Sequence, residues 1–384
     1  MNKGKLVFNG LIALLLYFIR KPFIVKKNWI FGYNLGKSYA GSNKVFFEYM
    51  LNQKKNCYFV IRKNYNNGNV PDSKYLIDWG SIRNYLMVFE SEVSLVSHSP
   101  ADVLPIYYRL VEFLRVKLVY NSHGIDGLKM WLPTKELTEY KYYFLINAIS
   151  EFEKNTRIRY LGVDEKNVKI TGFTTFDTLI RKDQELRDKN KDKNKDKNKI
   201  LMMMTWREYE SDLDKKILSF LKNEDLLIFL EKQNLAIDVI IHDFYVDKFY
   251  ANNSYKDIER YGIKFIKNTN IEEIVPNYNL LITDYSSIAW LFLFLKKPVI
   301  FYQFDQKKYL EYHGGSLIDY NSNNFLSKVV YTEKQLINEC VKLSKVNFVL
   351  DEKYEKNAKK YITYFDDKNC YRLYKEILSL LNKE

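Results

Sequence analysis

Four histidines, His98, His123, His242 and His313, stand in the 384 residues, and three of them end or follow apolar segments with the look of strands. In open α/β sheets ligands gather outside the carboxyl ends of the strands, so this placement bears on chemistry. The stretch NSHGID puts His123 directly after VKLVY and before Gly124. That glycine permits a sharp turn and close approach of a substrate, and an imidazole there is suited to take a proton near neutral pH. The plainer alternative is a turn histidine bonded to its own loop.

A second candidate is LLITDYSSIAWLFLFLKKPVIFYQFD, in which Thr283, Asp284, Tyr285, Ser286 and Ser287 interrupt two apolar runs. The break falls where a buried strand gives way to an apolar helix, so the two serines are expected at the cap and first turn of a helix over 286–295. A helix N-terminus offers unpaired N–H donors and positive potential, and two hydroxyls add donors without negative charge. Phosphate is the natural ligand. An ordinary serine cap would use one hydroxyl and leave the second, and Thr283, without a purpose. TWRE places Arg207, with Thr205 beside it, at the end of another strand, and guanidinium suits phosphate oxygens. A surface arginine paired with Glu208 or Glu210 is the alternative. His242, ending AIDVIIH, completes the candidate set: Thr205, Arg207, His242, Thr283, Asp284, Ser286 and Ser287.

Familiar phosphate and metal signatures are missing: no GxxxxGK[ST], no GxGxxG after a strand, no HExxH. Asp366-Asp367 lies in a polar segment among aromatics, away from any strand end. Phosphate handling by side chains and a helix terminus is therefore expected, with no metal and no cofactor.

The elements that must position these residues follow a repeating pattern. NWIFGYN, CYFVIR, SEVSLVSH, VKLVYNSH, YYFLINAIS and VKITGF are short, β-branched and aromatic, and helical stretches such as 42–54 lie between them. This is a βαβ rhythm, hence a parallel sheet covered on both faces. From Asp188 the chain reads DKNKDKNKDKNK, a segment with nothing to bury, taken as a linker over 188–199. The rhythm then restarts with KILMMMTW, AIDVIIH, IKFIKN, LLITD and PVIFYQF. Two α/β domains facing across a cleft are expected, over 29–187 and 200–357, with a helical segment over 358–384 able to return to the first.

Length allows two domains with real cores. The 60 Lys and Arg against 47 Asp and Glu give a net charge of +13, which favours a polyanionic partner or a phosphate substrate. The basic residues are scattered and no recognition-helix signature occurs, so nucleic acid is not an expected partner. Cys57, Cys340 and Cys370 are far apart, which indicates neither a disulfide framework nor a zinc site, and Cys370 is expected at the surface. Residues 1–28 hold a 14-residue apolar run from Leu6 to Ile19 between lysines and arginines. That is short of the ~20 residues of a bilayer span and lacks a cleavage site. It suits a peripheral anchor on an anionic membrane surface, with a helix packed on the protein itself as the alternative.

With these residues in view, the chain over roughly 29–319 resembles the CDP-glycerol glycerophosphotransferase family of teichoic-acid and capsule synthesis. LLITDYSSIAWLFLFLKKPVIFYQFDQKKYL is similar to the family's strand, TDYSS turn, helix, KP and FY..D...Y pattern. NSHGID followed by MWLP resembles its HG loop, KNVKITGFTTFDTL its V..TG.PRFD.L, and LMMMTWRE its PTWR. The resemblance implies two Rossmann-like domains in a GT-B-like fold. It implies His123 as the base that activates an acceptor hydroxyl, His242 and Arg207 as contacts to a donor pyrophosphate, and Ser286 and Ser287 as holders of its phosphates. The implied donor is CDP-glycerol or CDP-ribitol, the acceptor lipid-linked or glycan, and the place the cytoplasmic face of the membrane. A GT-B glycosyltransferase using a nucleotide-sugar is the other reading. The chain departs from the pattern at Met204, Asp243 and Thr174-Thr175. An acid beside His242 would raise that histidine's pKa.

Overall fold

The computed structural model describes residues 2–65, 70–106, 110–129, 143–190, 198–210, 212–241, 256–266 and 271–383. His242, Asp243, the MWLP stretch and residues 191–197 of the lysine-rich run lie outside these. By contacts the chain divides into two units. The first comprises 1–125, 132–178 and 361–384, and the second 126–131 and 179–360.

The first unit holds a seven-stranded parallel sheet: β1 (Asn28–Gly32), β2 (Asn56–Ile61), β3 (Leu76–Asp78), β4 (Val93–Val96), β5 (Leu118–Tyr120), β6 (Tyr143–Ala148) and β7 (Val168–Ile170), in the order β3-β2-β1-β4-β5-β6-β7. Side chains alternate along each strand, so neighbours in sequence enter opposite cores. Ile30, Val60, Val96, Leu118 and Ile146 join one core, which also takes Ala13 and Tyr17 of the N-terminal helix Lys3–Arg20. Trp29, Phe31, Phe59, Leu95, Val119 and Leu145 join the other, under Phe46 and Phe47 of the helix Gly41–Asn52 and Leu373 and Ile377 of the helix Asn369–Leu381. Both faces are thereby covered, which is why the strands read as nearly unbroken apolar runs.

The second unit repeats the scheme with β8 (Lys199–Met203), β9 (Ala236–Ile240), β10 (Ile263–Ile266), β11 (Leu280–Thr283), β12 (Val299–Tyr302) and β13 (Lys328–Val330), all parallel, in the order β10-β9-β8-β11-β12-β13. One face packs Ile200, Met202, Val239, Ile282 and Ile300 against the helices Leu213–Leu221, Glu224–Lys232 and Glu333–Lys345. In each sheet the order turns back on itself between two neighbours, β1 and β4 in one and β8 and β11 in the other. Such a switch point opens a crevice at the carboxyl ends of the strands.

Several expectations are corrected. The division of the chain passes through the helix Thr175–Asn190 between 178 and 179, ahead of the lysine-rich run, and Asp188 still belongs to that helix. The reason lies in the helix itself. Asp177 near its start accepts from the backbone N–H of Asn369 and Cys370, whereas Asp183 two turns on pairs with Lys297 at 2.8 Å. Cys370 is buried because it shares the inner face of the C-terminal helix with Leu373 and Ile377, at a spacing of three and seven. β3 and β13, of three residues each, are strands that the sequence pattern did not pick out.

The N-terminal helix buries Leu6, Asn9, Gly10, Ala13 and Tyr17, a single helical stripe, and Asn9 donates to the carbonyl of Gly80 at 2.9 Å. Val7, Phe8, Leu11, Leu15, Phe18 and Ile19 are exposed on its other faces. One face packs on the protein while a second apolar surface remains turned to solvent.

Candidate functional site

In the second unit the switch point is occupied by the loops after β8 and β11, which carry TWRE and TDYSS. Arg207 is buried, with its guanidinium wholly committed within the protein. Nε donates to Asp305 at 2.6 Å, Nη2 reaches Asp305 at 3.1 Å and Asp284 at 2.7 Å, and Nη1 donates to the carbonyl of Thr205 at 2.6 Å. Asp284 in turn accepts from the backbone N–H of Thr205 at 2.9 Å and of Tyr285 at 2.6 Å. Tyr209 and Tyr285 donate to Asp305 at 2.8 and 3.1 Å. Burial opposes the guanidinium charge, but Asp284 and Asp305 outweigh it and raise the pKa of Arg207. Burial also pushes Asp305 up, and the bonds from Arg207 and the two tyrosines more than reverse this, leaving its pKa lowered.

Arg207 and Asp284, expected among the contacts to phosphate, form a buried tie between the ends of β8, β11 and β12. Thr283 is likewise buried, donating to the carbonyl of Met203 at 2.6 Å. The signal for the arginine was read for its charge. The residue that would have revealed its partner, Asp305 at the end of β12, lies 98 positions away in sequence.

What the tie presents to solvent is the pair of serines. Ser286 is half-buried and Ser287 exposed. They precede the helix, which runs Ala289–Phe294 and begins three residues later than the sequence pattern suggested. Ala289 donates to the carbonyl of Ser286 and Trp290 to that of Ser287, so the serines form a tight turn of i to i+3 bonds and not the first turn of an α-helix. Around the tie lie buried polar atoms with no hydrogen-bond partner among the described residues: Thr205 Oγ1, Tyr309 OH and His313 Nε2. The Tyr309 ring stacks on Tyr285 with centroids 3.5 Å apart, and His313 lies 4.3 Å from Tyr309. Burial, with the nearby cations Lys129 and Arg207, lowers the pKa of His313 and favours its neutral form. Lys129 lies close to the same cluster, where the protein around its ammonium and Arg207 lower its pKa against the pull of Asp284.

In the first unit His123 is exposed at the end of β5. Its Nδ1 lies 3.0 Å from the carbonyl of Ser97. A carbonyl can only accept, so Nδ1 carries the proton and Nε2 is the basic nitrogen of the neutral ring. The loop is held from below by a buried amide and hydroxyl network. Ser122 N–H donates to Asn147 at 3.1 Å, Asn121 Nδ2 donates to Asn43 at 3.0 Å and to Thr174 at 3.2 Å, and Ser42 donates to the carbonyl of Asn121 at 3.0 Å. Thr174, one of the two threonines at which the family pattern has proline and arginine, is thus a buried part of this network. Sequence reasoning missed His98 and Asp102, which flank the switch point of this sheet. SHSPAD carried the signal, a histidine and an aspartate four apart directly after a strand. Among the described residues no group of three or more His, Cys, Asp or Glu side chains is arranged to hold a metal ion.

Two parallel sheets of one strand order, each with its polar side chains gathered at the carboxyl ends, define an α/β protein of the GT-B-like class. The solved wall teichoic acid polymerase TagF shares the fold, with a TM-score of 0.74 at 17% identity over 100% of this chain and 99% of that one. The family described as CDP-Glycerol:Poly(glycerophosphate) glycerophosphotransferase matches residues 14–379, and the chain belongs to it. Curated relatives include the minor teichoic acid biosynthesis protein GgaB of Bacillus subtilis (strain 168), 22% identical over 98% of this chain and 42% of that protein. Another is the teichoic acid poly(glycerol phosphate) polymerase of Staphylococcus epidermidis, 25% identical over 83% of this chain and 46% of its own length. The chain spans less than half the length of either relative.

Proposed function

We propose that the protein transfers glycerol phosphate or ribitol phosphate from a CDP-polyol to a hydroxyl of a lipid-linked or glycan acceptor in the synthesis of a teichoic-acid-like or capsular polymer. The observation that carries this reading is the Nδ1–H of His123 on the Ser97 carbonyl, which leaves Nε2 as a base at a strand end of a chain belonging to this family. In the proposed reaction Nε2 of His123 takes the proton of the acceptor hydroxyl as its oxygen attacks the β-phosphorus. The bond from that phosphorus to the bridging oxygen breaks, its electron pair leaves with CMP, and a phosphodiester forms. Charge gathers on the phosphoryl oxygens and the departing CMP, so fixed donors there lower the barrier. Ser286, Ser287 and the hydroxyl of Thr205 are the candidate donors, with His242 as the candidate contact to the pyrophosphate. Arg207 and Asp284 serve this seat by fixing the loops that present it.

We further infer attachment to the cytoplasmic face of the membrane, peripherally, through the exposed apolar side of the N-terminal helix. Lys3, Lys5, Arg20, Lys21, Lys26 and Lys27 flank that side and suit an anionic leaflet.

A panel of CDP-glycerol, CDP-ribitol, UDP-sugars and CMP-sugars with a lipid-linked acceptor, read by release of the nucleotide monophosphate or diphosphate, tests the assignment. His123→Ala is expected to lower transfer by about a hundredfold or more, the scale of a lost general base, while CDP-polyol binding persists. Ser286→Ala is expected to weaken donor binding. Turnover of a nucleotide-sugar with none of either CDP-polyol would replace the reading by the glycosyltransferase one.

A further inference from the structure

The loop Ser97–Asp102 follows β4 at the switch point of the first sheet, and two separate contacts bring it against His123, while a third holds His98 itself. Its Ser97 carbonyl accepts from His123 Nδ1. Its His98 ring lies flat against the His123 ring, with centroids 4.1 Å apart and planes 13° from parallel. Its Asp102, wholly buried, lies with Oδ2 3.7 Å from Nδ1 of His98, an ion-pair distance beyond hydrogen-bond range. The backbone N–H groups of Ser97 and His98 each donate to Asp102 at 2.9 Å, and Leu35 N–H donates at 2.8 Å. Tyr33 meets the His98 ring edge-on at 4.8 Å. His98 is therefore held at its ring by Tyr33 and at its backbone by Asp102, and it offers its flat face to His123.

The clamp is built into the backbone. Leu35 holds φ of 56°, a left-handed conformation that a leucine does not adopt cheaply, and Asp102 holds its backbone N–H. Gly32, the last residue of β1, lies so close to the Asp102 carbonyl that a Cβ there would stand 2.5 Å from its oxygen. Strain and close approach on this scale persist only where the surroundings enforce them.

Resting on the reading of His123 as the base, we propose that His98 is a positioning residue for the transfer reaction. Its ring is the platform that fixes the plane of His123, so that Nδ1–H stays on the Ser97 carbonyl and Nε2 keeps its aim. Without the platform the His123 ring can turn about its side-chain bonds, and both the tautomer and the direction of the base are lost for part of the time.

The test compares His98→Leu, which removes the flat ring, with His98→Phe, which restores a flat ring without nitrogen. Transfer is measured with CDP-glycerol and a lipid-linked glycerol-phosphate acceptor. His98→Leu is expected to lower kcat by about ten- to a hundredfold, the cost of a misaimed catalytic group, with KM for CDP-glycerol unchanged. His98→Phe is expected to recover most of that loss. With only four histidines in the chain, 15N spectra of histidine-labelled protein resolve the His123 tautomer directly. Its Nδ1–H form is expected to dominate in the parent and the Phe variant and to mix with the other tautomer in the Leu variant. Should the Leu variant fold poorly, His98→Gln removes the ring with a polar side chain and is read the same way. Wild-type kcat and an unmixed tautomer in a folded ring-less variant, in a protein where His123→Ala abolishes transfer, overturn the inference alone. Retained transfer in His123→Ala removes the base itself, and the platform with it.

Discussion

At the scale of single residues, the second unit turns on a buried cation between two buried carboxylates. Arg207 is wholly shielded from solvent, so removing it leaves Asp284 and Asp305 facing each other without their counter-charge. Arg207→Met is expected to destabilise the protein by about 3–5 kcal/mol in urea unfolding, the usual cost of breaking a buried pair from one side. The same contacts set an acid limit. The folded pKa of Asp305 lies below the ordinary carboxyl value of 3.8, so its stabilisation is complete above that value and is lost as pH falls through the lower folded one. Asp305→Asn is expected to flatten the fall of melting temperature below pH 3.8. A fall as steep as that of the parent would place the acid sensitivity elsewhere.

At the scale of elements, the strands and the polar loops at their ends were legible because short, β-branched strands followed by polar turns carry their own signal. β8 and β11 were visible as apolar runs, and the polar break at TDYSS marked the end of a strand. The switch points were not visible, because strand order depends on crossovers that no local pattern encodes. His98 was passed over for the same reason, since its neighbour in space, His123, is 25 residues on in another strand's loop. Arg207 was read for its charge when its burial mattered more. The C-terminal helix shows a further long-range debt. Its first backbone N–H groups, at Asn369 and Cys370, are satisfied by Asp177, some 190 residues earlier in the chain. Asp177→Ala is expected to cost about 1–2 kcal/mol, the loss of a helix cap. Hydrogen exchange should quicken first in Asn369–Leu381, and unchanged protection there would refute the assignment.

At the scale of the whole molecule, the exposed apolar side of the N-terminal helix is a surface that the described residues leave turned to solvent. Phe113 is 70% exposed, and its ring meets Phe18 edge-on at 6.4 Å, which extends this side onto a second element. Sedimentation with vesicles containing phosphatidylglycerol is expected to carry the protein down, less so at high salt. Serine at Phe8, Leu15 or Phe18 is expected to weaken that binding by about tenfold for each side chain, from the apolar surface no longer buried. Equal sedimentation with the triple variant would exclude this face as the anchor.

The return of the C-terminal helix to the first unit also sets an order of events during synthesis. The last strand of that sheet ends at Ile170, but the helix that covers Trp29 and Leu145 begins only at Asn369. At about 5–20 residues per second a ribosome needs roughly 10–40 s to make the intervening chain. Throughout that interval the aromatic core of the nascent first unit lacks its lid, so this face is where a chaperone has reason to hold the emerging polypeptide.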